Sequence, residues 1–543
     1  MQQDSAEVAG WSISRIVLFA ATAAIILGVC AWRGQSETLP PAPFSAGERV
    51  FCISYAPFRG NESPFGPDVP VDPRQIEEDL AALSRITDCV RTYSIDHGLD
   101  QIPEIARRRK MKVLQGLWLS SFPELNRHQI ETAIKLARQF PDVITAIVVG
   151  NEVLLRGEMS PSELSRTIQA VKASVSMPVT YADVWEFWLR YRELSAVVDF
   201  VTVHILPYWE DLPVEARDSA RHVETVRKQV MNAFPQKEVL IGEFGWPSAG
   251  RMREGALPSP INQARALYEA LLLAKRGNFH LNLIEAFDQP WKRKLEGTVG
   301  GHWGLFDAYT RIAKFTWGGR ISNHPNWWRE AVIGLALAVI TFAAALAGAG
   351  RRKKNGADSR GCWLGIAVIA TISGSLIGWT FELVPLESLT AGDWLRSLAW
   401  AAAAVLTPIV AAYAAATGKG IASFAQVLNR GAMPDWVPTA LGFIVVVLAL
   451  LSTHAALGLA FDPRYRDFPF APLTAAAVPL LFLADWRLPR KPPTAELVMA
   501  LTLVGAAIYV VCNEGLANWQ ACWLGAGMAA LAITLFQARD APS

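Results

Sequence analysis

Two kinds of apolar patterning divide the chain. Between Gly47 and Thr316 the apolar runs are short, rich in β-branched residues and separated by amphipathic stretches. From Ala331 onward, long Ala/Leu/Val/Ile runs alternate with brief polar breaks. Eight short runs stand out in the first region, beginning at Phe51 (FCISYAPF), Cys89 (CVRTYS), Lys112 (KVLQGLWLS), Ile144 (ITAIVVGNEV), Pro178 (PVTYADVW), Val197 (VVDFVTVHILPYW), Glu238 (EVLIGEFGWP) and Asn282 (NLIEAFDQPW). Helix-like segments lie between them. One opens with Ser160-Pro161-Ser162-Glu163, an N-cap with proline at the first helical position and an early acid. Strand-like runs alternating with helices predict βα units around a parallel sheet. Eight such units in about 270 residues predict a (β/α)8 TIM barrel, whose usual size is about 250 residues. A doubly wound open sheet is the alternative, but no glycine-rich loop follows the first run.

The second pattern predicts an all-α, polytopic transmembrane domain. Ser14–Trp32 has roughly the twenty apolar residues a bilayer requires, longer than a signal-peptide core and with no small-x-small cleavage site behind it, so it is expected to remain as an anchor. Seven further spans are expected near 331–350, 362–381, 397–418, 438–461, 468–486, 495–512 and 518–536. The basic loops 351–360 and 485–493 belong on the cytoplasmic side by the positive-inside rule. With eight spans, both termini then lie inside and the barrel lies outside, on the periplasmic face of the inner membrane. The arginines of FDPRYRDF, 461–468, run mildly against this. The expected organisation is a cytoplasmic N-terminus (1–13), an anchor (14–32), a Pro-rich linker (33–47), the barrel (48–322), a seven-helix membrane domain (330–537) and a cytoplasmic tail (538–543).

Composition narrows the function. The chain is 52% hydrophobic and 18% charged, with a net charge of +2, so no nucleic acid or other polyanion is implied as a partner. Six cysteines are too few for a disulfide scaffold. Cys30, Cys362, Cys512 and Cys522 lie in or at spans. Cys52 and Cys89 are expected as two buried thiols rather than the disulfide that adjacent strands would permit. His454 and Glu514, the notable ionisable groups in the second region, are expected to be structural or interfacial.

In such a barrel, chemistry gathers at the C-terminal ends of the strands. The residues there are Tyr55; Arg91 and Tyr93; Trp118; Asn151 and Glu152; Asp183 and Trp185; His204 and Tyr208; Glu243 and Trp246; and Glu285, Asp288 and Trp291. Glu152 follows the apolar AIVVGN and Glu243 follows VLIG, so two carboxylates close strands four and seven, across the mouth from each other. A single strand-end glutamate is usually an ion-pair partner. Two at matched positions suit glycoside hydrolysis, with one acid to protonate the leaving oxygen and one carboxylate to attack or to activate water. Trp118, Trp185, Trp188, Trp209, Trp246, Trp291 and Trp303 offer flat faces for packing or for pyranose rings. No metal-ligand cluster or nucleotide loop is evident, and no cofactor is expected.

VLIGEFGWPSAG, VVGNEV, VRTYS and EAFDQPWK together resemble glycoside hydrolase family 17, the β-1,3-glucanases and β-1,3-glucanosyltransferases, over about Val50 to Thr316. The resemblance extends to membrane-tethered bacterial members associated with β-glucan synthesis. It departs at Phe244, where the family usually has Ser or Thr. It implies a retaining mechanism, with Glu243 as nucleophile, Glu152 as acid/base and Asn151 on the 2-hydroxyl of the reacting sugar. Two carboxyls about 5 to 5.5 Å apart are then expected, with the Glu152 pKa raised by burial and by the charge of Glu243. Tyr208 is expected to support the nucleophile. Tyr55, Arg91, Tyr93, Asp183, Trp185, His204, Trp246, Glu285, Asp288 and Trp291 are expected around the sugar. Hydrolysis and transfer share one intermediate; attachment to a membrane favours transfer, on a β-glucan emerging there. A glucan synthase is a possible partner, and a sugar-binding membrane protein is the non-enzymatic alternative.

Overall fold

A computed structural model describes residues 2–45, 47–66, 69–351, 360–428, 435–484 and 492–538. It divides into two units. Residues 37–250 and 255–321 form one, and residues 1–36, 251–254 and 322–543 group in the other.

The first unit is a closed barrel of eight parallel strands: β1 (Cys52–Ser54), β2 (Cys89–Arg91), β3 (Lys112–Leu117), β4 (Ile144–Asn151), β5 (Val179–Val184), β6 (Val201–His204), β7 (Val239–Phe244) and β8 (Leu281–Leu283). Closure comes from β8 pairing with β1, Cys52 beside Asn282 and Ile53 beside Leu283. The open-sheet alternative is thereby excluded. Every residue of β7 and all but Thr145 of β4 are buried, because helices cover the outside while side chains fill the inside. Pro161–Lys172 begins with the capping box expected at Ser160, whose hydroxyl meets the Glu163 N–H while the Glu163 carboxylate returns to the Ser160 N–H. The linker is not loose, since Ser36–Thr38 forms a two-stranded sheet with Arg320–Ser322.

Cys52 and Cys89 form a disulfide, with Cα atoms 4.4 Å apart, and are not free thiols. The register pairs Ile53 with Val90, which sets the two cysteines side by side in the buried cluster of Leu114, Ala146 and Leu240. Residue spacing alone carries no information on that register.

In the second unit, seven helices among the described residues are long and apolar enough to cross a membrane: Ile13–Arg33, Trp327–Arg351, Gly361–Glu387, Ala391–Thr417, Trp436–Phe461, Thr494–Glu514 and Trp519–Phe536. The remaining expected span, 468–486, instead gives Phe470–Leu481, whose 12 residues rise about 18 Å against the roughly 30 Å of a hydrocarbon core. Its residues are buried nearly all round. Residues 352–359, 485–491 and 539–543, which carry most of the basic loops and the tail used to assign sides, lie outside the described residues. The first helix is built into this unit. Ile26 and Cys30 are fully buried, and Arg33 reaches Glu330 at 3.0 Å. Glu514 is likewise fastened, by Arg251 and, at 3.0 Å, by Asn518.

Candidate active site

The C-terminal rim of the barrel centres on Arg91, whose side chain is 1% exposed. Its guanidinium donates to Glu243 Oε1 (2.9 Å), to the Gly242 carbonyl (2.7 Å) and to Asn151 Oδ1 (2.6 Å). Glu243 also accepts the Tyr93 hydroxyl at 2.8 Å. Burial and the Glu243 charge hold that phenol far above its ordinary pKa, so it remains a donor. Behind it, Ser54 Oγ lies 2.8 Å from Tyr93 and 2.8 Å from Asn282 Nδ2. Gly242 is required here, because a Cβ at this position would stand 2.4 Å from the Thr202 methyl and 3.3 Å from the His204 ring.

At the end of β4 the backbone turns through two left-handed residues, Gly150 (φ 89°) and Glu152 (φ 52°). This turn carries the Glu152 side chain to His204, with Oε1 2.8 Å from Nδ1. His204 Nε2 stands 3.3 Å from the Arg91 guanidinium, which can only donate. Nε2 also stands 3.5 Å from Glu243 Oε1, so the imidazole lies between the two carboxyls. Ligand atoms of Glu152, His204 and Glu243 all lie within 4.8 Å of one another. The two carboxyls thus face each other at about the separation of a retaining pair and well inside the 6.5–9.5 Å of an inverting one. The same three residues are spaced as metal ligands are, but the Arg91 guanidinium already supplies positive charge to Glu243 and His204.

The electrostatics differ from the expectation for Glu152. Burial pushes its pKa up, but His204, Arg156 and Arg91 outweigh burial and hold the carboxyl below its ordinary value. Burial instead raises two other carboxyls of the barrel. Asp183 is pushed up to about 6, with the Glu152 charge adding to burial, and Glu285 to about 7 even with Lys292 Nζ at 2.8 Å.

Around this core, only some of the expected sugar-facing residues keep an open face. Trp185 and Trp291 are half-buried on the rim, where Trp185 Nε1 donates to Glu210 (3.3 Å) and Trp291 Nε1 to Gln289 (2.8 Å). Trp118 and Trp209 are also half-buried, Trp118 under the Arg156 guanidinium at 4.1 Å. The others turn away. Tyr55 is buried, with its hydroxyl 3.0 Å from Asp79 on the surrounding helix 73–83. Asp183 is fully buried beneath Glu152, bound by the Tyr181 hydroxyl and the Val184 N–H. Asp288 holds its own loop, through Lys314 (2.7 Å) and the Gly304 N–H (2.8 Å). Trp246, Trp188 and Trp303 are packing residues. Tyr208 is fully buried against Trp209, Trp246 and Trp303, and Tyr93 donates its hydroxyl to Glu243. Phe244, the departure from the family pattern, is also fully buried. Two residues at the site were not anticipated. Lys292 was present in EAFDQPWK, and Arg156 comes four residues after Glu152 and wraps back to the Asn151 carbonyl.

A closed (β/α)8 barrel with facing carboxyls at the ends of strands four and seven defines a glycoside hydrolase or transglycosylase. Residues 52–304, just under half of the chain, match the BtgE/BtgC glycoside hydrolase domain, which is similar to family 17. Among curated proteins, the chain is similar to a glucan 1,3-β-glucosidase of Arthroderma benhamiae, 28% identical over 289 residues, covering 50% of this chain and 90% of that one. It is also similar to a probable β-glucosidase, btgE, of Aspergillus fumigatus, 30% identical over 246 residues, covering 44% of this chain and 43% of the relative. Among solved structures, a Rhizomucor miehei β-1,3-glucanosyltransferase mutant in complex with laminaritriose is 25% identical, with a TM-score of 0.43, covering 50% of this chain and 97% of that one.

Proposed function

We propose that the protein is a membrane-anchored retaining glucanosyltransferase acting on β-1,3-glucan. The observation that carries this is the facing pair Glu152 and Glu243, within 4.8 Å at the mouth of one closed barrel. Glu243 attacks the anomeric carbon while Glu152 protonates the departing oxygen, leaving a covalent glycosyl-enzyme. A second sugar hydroxyl, deprotonated by Glu152, then takes the glycosyl group from Glu243. Arg91 and Tyr93 hold Glu243 and aim it. His204 favours the carboxylate form of Glu152, the form the second step uses. Asn151, oriented by Arg91, stands beside the acid/base, where it would meet the 2-hydroxyl of the reacting sugar.

Support for β-1,3-glucan comes from the names of the relatives, and support for an anchored enzyme from the seven apolar helices. The disulfide supports an oxidising compartment, such as the periplasm. A glucan synthase delivering polymer at the same membrane is the partner this reading implies. The second reading is hydrolysis by an endo-β-1,3-glucanase, favoured by the name of another relative, a probable glucan endo-1,3-β-glucosidase. Incubation with laminari-oligosaccharides followed by linkage-resolved NMR separates the two. Longer or branched products support transfer, and exclusively shorter ones overturn it. Glu243→Gln should lower either activity by at least about 10³-fold.

A further inference from the structure

The loop after β1 carries an apolar side chain that the catalytic pair does not use. Phe65 is 63% exposed, and its ring meets Trp291, on the segment after β8, at a centroid separation of 5.6 Å and an angle of 74°. The two rings form a corner open to solvent. A single exposed aromatic residue is ordinary on a protein surface. This one differs in being held in place from both sides. On its own loop, the Pro64 carbonyl lies 3.0 Å from His97 Nε2, and Gln75 Nε2 donates to the Pro57 carbonyl (2.6 Å) and to Glu62 (2.8 Å), which also takes the Arg59 N–H (2.7 Å). On the other side, Trp291 Nε1 is fixed by Gln289, which is fully buried and donates to the Ala56 carbonyl at 3.0 Å, tying the two segments together. The buried ring of Phe58 backs Trp291 at 6.4 Å. A surface ordered in this way before binding loses little entropy when a ligand arrives.

The corner also has a direction relative to the catalytic pair. Lys292, next to Trp291 in the chain, reaches Glu285 Oε2 at 2.8 Å and lies in electrostatic reach of Glu243. The other oxygen of Glu285, Oε1, is buried with no hydrogen-bond partner among the described residues, an acceptor that a sugar hydroxyl would satisfy. Moving away from Glu243, the segments after β8 and β1 thus offer first a buried acceptor and then an apolar corner. Glu152 stands on β4, so the oxygen it protonates and the chain that leaves with it lie towards β4 to β6. The part retained on Glu243 lies towards β8 and β1.

We infer that Phe65 and Trp291 form an outer subsite for the retained part of a β-1,3-glucan, with the apolar face of one glucosyl ring packed into the corner. Phe65 is then a specificity-determining residue that favours long donors over short ones. The inference rests on the reading of the barrel as a β-1,3-glucan enzyme and adds to it a position that senses chain length.

The test measures binding rather than turnover. The full chain carrying Glu243→Gln, in detergent, is titrated calorimetrically with laminaribiose, laminaritriose, laminaritetraose and laminaripentaose. Affinity is expected to rise by about tenfold at the step where the oligosaccharide first reaches the corner. Phe65→Ala should remove that step at unchanged melting temperature, and Phe65→Trp should retain it. Phe122→Ala truncates an equally exposed phenylalanine on the loop after β3 and should leave the step in place. A step that survives Phe65→Ala overturns the inference and leaves the glucan reading intact, as does loss of the step in Phe122→Ala. An affinity that does not rise with length overturns it too. Failure of every laminari-oligosaccharide to bind overturns the inference and the glucan reading together.

Discussion

In the barrel, the buried cation Arg91 joins Glu243, Asn151, the Gly242 carbonyl and His204, which come from three other strands. In the helical unit, Arg33 meets Glu330, which also takes His324 Nδ1 at 2.9 Å, and donates to the Ser375 carbonyl at 2.7 Å. The two arginines are almost equally hidden, 1% and 9% exposed. The difference lies in what remains open beside them. Arg91 leaves Glu152 23% exposed at the mouth, whereas Arg33 is closed over by the Trp379 ring at 5.1 Å. A buried charge with an open neighbour can do chemistry, while one sealed on every side can only fasten helices together.

If this contrast is correct, removing the open partner should cost rate, and removing the sealed one should cost stability. Glu152→Gln should lower turnover on unactivated glucan by roughly 10² to 10⁴-fold, with much less loss on an aryl glucoside whose leaving group needs no proton, as compared by initial rates. Arg33→Met removes the guanidinium from Glu330, leaving His324 as its partner, and should cost up to about 3 kcal/mol, read as a lower melting temperature of the full chain in detergent. Adding Glu330→Met should restore most of it, and failure to do so would break the comparison. Replacing Cys52 and Cys89 by serine opens the link between β1 and β2 and should cost roughly 2 to 4 kcal/mol in denaturant unfolding of the barrel. Ser160→Ala removes a helix cap remote from both arginines and should cost about 1 kcal/mol without changing activity.

A pH profile sharpens the role of His204. Loss of the proton from Glu152 sets the alkaline limb, because the first step needs the acid. With the carboxyl held below its ordinary value, that limb lies towards low pH in the intact site. His204→Asn removes the strongest opposing influence and leaves burial to push the carboxyl up, so the limb should move to higher pH. A limb that stays in place would mean that another group sets it.

The strands could be read from the chain because each is a short apolar run that ends in a polar residue, and the facing carboxylates followed from the order of those runs. What stayed hidden was direction. Ser54 points into the barrel, where it meets Tyr93, so alternation turns Tyr55 outward to Asp79. A residue at a strand end is thus on the rim by position without facing the mouth. Asp183 is a second case, buried on the Tyr181 hydroxyl and the Val184 N–H. The depressed Glu152 carboxyl depends on His204, Arg156 and Arg91, which lie 52, 4 and 61 residues away and are assembled only by closure. The short helix Phe470–Leu481 was missed because hydropathy cannot distinguish a segment surrounded by lipid from one enclosed by other helices.

The left-handed backbone at Glu152 has an evolutionary corollary. A side chain held there costs roughly 1 to 2 kcal/mol that glycine would recover. A lineage selected only for robustness would therefore drift towards a sturdier and inert barrel, so persistence of glutamate at this position would itself record continued selection for turnover.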